Sequence, residues 1–281
     1  MQKIALITDS ACDLDLNTLK ENNINLLPLR IIYSNSDYRD RIDISPQEVY
    51  DNLEKEVPKT SLPSAQETEE ILNKLEEEGY THVICISISS GLSGSFNALR
   101  LALEDHPKLT SFVYDSKILA YPQGEIVLEV AKLIKEGKSY EEIVREIPEI
   151  RKRVIGYFTI NTLEYLNRGG RIGRLAGTVG ELLNLKPIIT TDEDGVYYNV
   201  AKVRGRKQSL SKMTELLKGY LAKGKCEVAV LHAGCEDEAI KYMNSLKDLT
   251  NVVSIKIAEI SPALGIHGGP GLIGFSVKMV K

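Results

Sequence analysis

Short apolar runs alternate with segments opened by helix-capping signals over the first half of the chain, and this alternation restricts the fold more than any other feature. Residues 3–8 form an apolar run ending in Asp9-Ser10, and a helix starting near Asp15 separates it from a second run over 24–33. Ser45-Pro-Gln-Glu48 and Ser64-Ala-Gln-Glu67 have the spacing of capping boxes, in which a serine hydroxyl and a glutamate satisfy free N–H groups at a helix start. A buried-type strand over 81–87, a helix over 94–104, a strand over 111–114 and a helix over 119–135 follow. Strands separated by helices pair in parallel, so the expected core is a mainly parallel sheet flanked by helices.

Ser139-Tyr-Glu-Glu142 opens one more helix, ending near Arg153, and the pattern then changes. A strand over 154–159, a helix over 161–167, and a run over 187–203 split by Asp192-Glu-Asp-Gly195 into a hairpin come next. Helices over 209–222 and 236–246 alternate with strands over 227–232, 252–257 and 274–280. The reading is two domains, an α/β unit over 1–153 and an α+β unit over 154–281, without internal repeats or low-complexity segments.

A net charge of -4 and a pI near 5.7 supply no basic surface for nucleic acid. Charged residues interrupt every apolar run short of the roughly 18 needed to span a membrane, and the first residues lack the pattern of a secretion signal. Cys12, Cys85, Cys226 and Cys235 are spread too widely for zinc or redox motifs, and His82, His106 and His232 have no metal-ligand spacing. A cytoplasmic protein with reduced thiols and no cofactor is expected.

Chemistry is expected at the loops. Ser87-Ile-Ser-Ser-Gly-Leu-Ser-Gly-Ser95 joins a strand to a helix at the carboxyl edge of the parallel sheet, where ligands bind. Its hydroxyls and free N–H groups suit a carboxylate or a phosphate, with Ser93 as the anion contact; equally, Ser93 is an ordinary helix cap. A nucleophile elbow, Gly-x-Ser-x-Gly, fails at Ser95, although His267 leaves a serine hydrolase using Ser93 as an alternative. Thr60 and Ser61 lie in a segment that Pro58 and Pro63 keep extended, and Asp9-Ser10 and Asp115-Ser116 either orient ligand-binding hydroxyls or cap the next element. Arg168, Arg171 and Arg174 surround a glycine turn, with Arg204 and Arg206 adding a second cluster, and His267-Gly-Gly-Pro-Gly271 combines an imidazole with permissive backbone. Such arginines suit phosphate or an acidic partner, or complement a helix dipole.

Taken in order, Asp9-Ser10, the Lys-Thr-Ser-x-Pro-Ser segment over 59–64, Ser90-Gly-Leu-Ser-Gly94, Asp115-Ser116, Leu166-Asn-Arg-Gly-Gly-Arg171 and His267-Gly-Gly-Pro-Gly271 resemble the DegV family along essentially the whole chain. The resemblance implies a carrier, not an enzyme: one long-chain fatty acid is bound with its tail in a pocket between the domains. It is presented to a separate ATP-using fatty-acid kinase, which makes an acyl phosphate for phospholipid synthesis. The resemblance places the carboxylate at Thr60, Ser61, Ser93 and His267, supported by Asp9, Ser10 and Gly94, and turns Arg171 and Arg204 toward the kinase or its phosphate. Leu62 departs from the glutamine usual in the family. A binding protein for a small phosphorylated metabolite is the remaining reading.

Overall fold

The computed structural model describes residues 2–181 and 185–280. The chain runs through β1 (Ile4–Asp9), α1 (Leu16–Glu21), β2 (Ile24–Leu27), β3 (Arg30–Ile32), β4 (Asp37–Arg39), α2 (Pro46–Asn52), β5 (Lys59–Ser61) and α3 (Ala65–Glu77). It continues with β6 (His82–Ser87), α4 (Ser95–Ala102), β7 (Thr110–Asp115), α5 (Tyr121–Lys135) and α6 (Tyr140–Lys152). The second half contributes β8 (Val154–Thr159), α7 (Glu164–Arg168), β9 (Leu185–Thr191), β10 (Tyr197–Arg204), α8 (Arg206–Leu221), β11 (Cys226–His232), α9 (Glu236–Leu246), β12 (Val252–Glu259), α10 (Pro262–Gly268) and β13 (Ile273–Met279).

The expected parallel sheet is present, in the order β2-β1-β6-β7. Its middle strands read as unbroken apolar runs because both faces are covered. Ala5, Ile7, Val83 and Cys85 pack with Leu72 of α3 and Leu99 of α4; Leu6, Ile84 and Ile86 face Ile126, Val127 and Val130 of α5. The six-stranded sheet of the second half is mixed, ordered β10-β9-β8-β13-β11-β12, with only β11 and β12 parallel. Met213 and Leu217 of α8 and Tyr242 and Leu246 of α9 cover one face of it. Its other face meets the far side of α5, so α5 lies between the two sheets and one apolar core continues from Ile84 through Ile126 to Leu231. Every strand of the parallel sheet precedes Arg153, and every strand of the mixed sheet follows it.

Four local expectations are corrected. The run over 24–33 is two strands, because Pro28 has no N–H to continue the ladder. β2 joins the parallel sheet, whereas β3 turns away into a small antiparallel sheet, β4-β3-β5, that carries Thr60 and Ser61. The capping boxes at Ser45 and Ser139 are complete, but at Ser64 only half forms, since the Glu67 carboxylate leaves the helix start to meet Arg30 at 3.3 Å. A 3-10 helix begins at Gly173, where the glycine-arginine loop was expected to stay open. Finally, Ser261 caps the short helix α10, so His267 sits in a last helical turn and not in a free glycine loop. No helix among the described residues is long and apolar enough to cross a membrane.

Candidate functional site

The serine loop between β6 and α4 is fixed by hydrogen bonds to three neighbouring parts of the fold. Asp9 Oδ2 accepts the Ile88 N–H at 2.8 Å, and Asp115 Oδ1 accepts the Ser90 N–H at 3.0 Å. Ser89 donates to the Gly195 carbonyl at 2.8 Å, which ties the loop to the tip of the β9–β10 hairpin. That approach is close enough to require glycine at both positions: a Cβ on Gly91 would lie 2.8 Å from the Gly195 carbonyl oxygen, and Gly195 itself has φ +77. Held this way, the half-buried Ser93 puts its Oγ 2.9 Å from Ser95 Oγ and accepts the Ser95 N–H at 3.3 Å. The cap position of α4 is Gly94 and not Ser93, the cap that the sequence allows; Ser93, one residue earlier, satisfies the Ser95 N–H and is a candidate ligand contact.

Across from this loop, β5 presents Thr60 and α10 presents His267, and Thr60 Oγ1 and His267 Nε2 are 2.7 Å apart. Burial, and after it the nearby Arg171 guanidinium, pushes the His267 pKa down to about 4, so the imidazole is neutral near pH 7. Its Nδ1 is buried without a hydrogen-bond partner among the described residues, against a position where only glycine fits: a Cβ on Gly169 would stand 2.1 Å from that nitrogen. The first glycine of the Arg-Gly-Gly-Arg turn is thus required by the imidazole packed on it. A serine hydrolase needs His267 to bond Ser93 and an acid to bond Nδ1. Here Nε2 is engaged by Thr60, Ser93 turns to Ser95, and Nδ1 faces no carboxylate.

Thr60, Ser61, Ser93, Arg171 and His267 together line a cavity of about 200 Å³ whose remaining wall is apolar, including Leu62, Leu92 and Leu264. It borders solvent beside Ser61 and the 37% exposed Leu62. The four residues expected at the carboxylate, Thr60, Ser61, Ser93 and His267, all line this one cavity. Asp9, Ser10 and Gly94 stand behind the wall. Ser10 accepts the N–H of the lining residue Leu29 at 3.0 Å, Asp9 holds the lining residue Ile88, and Gly94 lets Leu62 approach to 3.3 Å of its missing Cβ. Asp115 and Ser116 cap: Asp115 accepts the Lys117 N–H at 3.1 Å, and Ser116 donates to the Ile118 carbonyl at 3.0 Å.

The arginines separate by their partners. Arg168 pairs with Glu164, and Arg174 pairs with Asp192 at 3.0 Å and with Asp194. Arg171 instead donates to two carbonyls, Gly169 at 2.6 Å and Leu92 at 3.3 Å, bridging the glycine turn to the serine loop. It is a half-buried part of the cavity wall and not a member of an outward-facing patch. Arg204 is exposed at the end of β10, outside the cavity wall.

What sequence reasoning missed is the apolar half of the site. Leu119, Tyr197 and Leu264 line both the polar chamber and a second, narrower cavity of about 50 Å³. This channel passes Pro122 at the start of α5, Gly156 and Phe158 of β8, and Leu231 of β11. Its one sequence signal was Gly156 inside a strand, which marks a close approach: a Cβ there would meet Pro122 Cγ at 2.7 Å. Apart from Thr190 and Thr191, whose hydroxyls donate to the Gly156 and Lys117 carbonyls, the remaining lining is largely apolar and indistinguishable by type from core. Ala120, also on the channel wall, holds φ 60 and ψ −158, a conformation that side chains rarely adopt and that explains why α5 starts at Tyr121 and not at residue 119.

Comparison with known proteins gives a single answer along the chain. The family model described as "Uncharacterised protein, DegV family" matches residues 3–279. A DegV domain-containing protein of Clostridium perfringens is 51% identical over 278 residues, covering 99% of each chain. Among solved structures, the Bacillus subtilis protein described as DegV, a fatty acid binding protein, superposes with a TM-score of 0.92 at 31% identity, covering 100% of both chains. A stearic acid-binding protein of Eubacterium ventriosum superposes with a TM-score of 0.87 at 29% identity over 99% of this chain and 98% of its own.

Proposed function

The chain belongs to the DegV family, and from that premise we propose that it binds one long-chain fatty acid, with the carboxylate in the chamber at Thr60, Ser93 and His267 and the tail in the apolar channel. The observation that carries this reading is the continuity of the two cavities through Leu119, Tyr197 and Leu264, polar at the end near solvent and apolar beyond. A small phosphorylated metabolite has no use for the second half. The related proteins described as binding fatty acids support the same ligand class.

The energetics divide along the same line. Each methylene taken from water contributes about 0.8 kcal/mol, so the gain grows with every methylene that the channel takes in, before the cost of ordering the chain. A hydrogen bond to the charged head contributes about 1.5–3 kcal/mol, much of which offsets its desolvation. The tail supplies the affinity, and the chamber selects the head group and its orientation. Arg171 supplies the positive charge on the wall, and the neutral His267 adds a polar edge without a second charge. A carboxylate at this depth stays near the solvent edge beside Ser61 and Leu62, within reach of a partner that phosphorylates it. In this reading the chemistry belongs to a fatty-acid kinase, which the exposed Arg204 helps to engage.

Native mass spectrometry of freshly purified protein tests the ligand class. One co-purified species with a long-chain fatty-acid mass is expected. A phosphorylated metabolite, or an empty protein that turns over esters through Ser93, would contradict the reading. Arg204→Ala is expected to keep its lipid while acyl-phosphate formation with the cognate kinase slows; unchanged phosphorylation removes Arg204 from that role.

A further inference from the structure

The helix that carries His267 is poorly able to place itself. α10 has seven residues, two of them glycine, and a helix that short is marginal without tertiary contacts. Its start is held by a buried cluster from the first half of the chain. Asp40 Oδ1 accepts the Ala263 N–H at 2.9 Å, while Asp40 Oδ2 accepts the Ser10 hydroxyl at 2.5 Å. Asp13 Oδ1 accepts the Ser261 N–H at 2.8 Å and the Arg41 guanidinium at 3.1 Å, and Arg41 also donates to the Glu259 carbonyl at 2.7 Å. Asp40, Ser10 and Ser261 are fully buried, and Asp13 nearly so. Ala263 and His267 are four residues apart, one turn up the same helix face, so a shift at Ala263 is carried to the imidazole.

We propose that Asp40, together with the Asp13–Arg41 pair, is a positioning residue for head-group recognition: it fixes the start of α10 so that His267 meets Thr60 across the chamber. The inference rests on the fatty-acid reading for its ligand, but its geometry does not. It also gives Ser10 a role that the sequence assigned to ligand support, since the hydroxyl orients Asp40 from behind the wall. Asp40 is buried and does not itself line the chamber; it acts through the start of α10 and, behind the wall, through Ser10 and Leu29.

The test compares wild type, Asp40→Ala and Asp40→Asn by two measurements: the preference for stearic acid over stearyl alcohol in equilibrium binding, and the 15N resonances of the His267 ring. His82, His106 and His232 serve as internal references. Asp40→Ala is expected to lower the acid preference about tenfold, as for one lost hydrogen bond to the head group, and to shift the His267 ring resonances. Asp40→Asn keeps an acceptor for the Ala263 N–H and is expected to retain the preference within about threefold. If Asp40→Ala does not fold, Ser261→Ala removes only the hydroxyl that accepts the Leu264 N–H at the same helix start, and is expected to move both measurements in the same direction. Equal weakening of acid and alcohol with an unmoved His267 resonance overturns the inference. A wild type that binds neither lipid contradicts the fatty-acid reading instead, and the resonance comparison still decides whether Asp40 positions His267.

Discussion

The chamber and the channel are built from opposite materials and meet at Leu119, Tyr197 and Leu264. Around Thr60, Ser93, Arg171 and His267 each side chain is braced, by Ser95, by the Leu92 and Gly169 carbonyls, and by Thr60 and His267 on each other, with His267 Nδ1 left without a hydrogen bond among the described residues. Past Tyr197 the wall turns largely apolar, and two glycines on it leave no room for a Cβ, Gly156 against Pro122 and Gly268 against Leu272. The difference teaches how one site separates two tasks. A braced polar wall fixes what the head group is and where it points, whereas an apolar passage rewards length with little regard for identity.

Four substitutions break or sharpen that comparison. The largest effect is expected from Gly156→Ala, whose added methyl collides with Pro122 and narrows the channel; octadecanoic acid binding should weaken by on the order of 3 kcal/mol, about two powers of ten, in a calorimetric titration. Unchanged affinity would put the tail elsewhere. Next comes Glu125, fully buried between α5 and β13 with its carboxyl on the Ser276 hydroxyl, and pushed up to about 8 by burial. Because its folded value lies above its unfolded one, the native state holds this proton more tightly, and stability falls as pH rises through the window from about 4.5 to about 8. Relative to Glu125→Gln, the wild type should lose about 2 kcal/mol between pH 6 and pH 7.5 in denaturant melts. Equal pH profiles would show that the interior beside the channel is wet.

Smaller again is Ser93→Ala, expected to cost an acid ligand about 1.5 kcal/mol and the matching alcohol much less. Equal losses for the two would assign Ser93 to loop structure, through its bond to the Ser95 N–H. Leu62→Gln should change acid affinity least, within about threefold, because the side chain is partly exposed at the chamber edge. A larger change would show that its apolar surface shields the head group.

The two regions also differ in how far the sequence announced them. The parallel sheet and the serine loop were legible because unbroken apolar runs and serine caps have one common physical cause each. The chamber was legible as a set of residues but not as a shape. Choosing among Arg168, Arg171 and Arg174 depended on Glu164, Asp192 and Asp194, which claim two of the three only after folding. α10 was hidden because Gly265 and Gly268 dilute its helical pattern, although Ser261-Pro262 marked its start. The small sheet was hidden because its strands have three residues each and Pro28 ends the preceding run. The channel left almost no trace, since Phe158, Leu231 and Leu272 would look the same against a ligand or against core.

The central claim is that the head lies in the chamber and the tail lies past Tyr197. A crystal structure with a long-chain fatty acid brominated at its terminal carbon tests this most directly, because anomalous scattering locates the tail end independently of the rest of the ligand. The account expects the bromine beyond Tyr197, among Pro122, Gly156 and Phe158, with the carboxylate within hydrogen-bonding distance of Thr60 and Ser93. Bromine in the chamber near Ser61 and Leu62, with the carboxylate elsewhere, would contradict it.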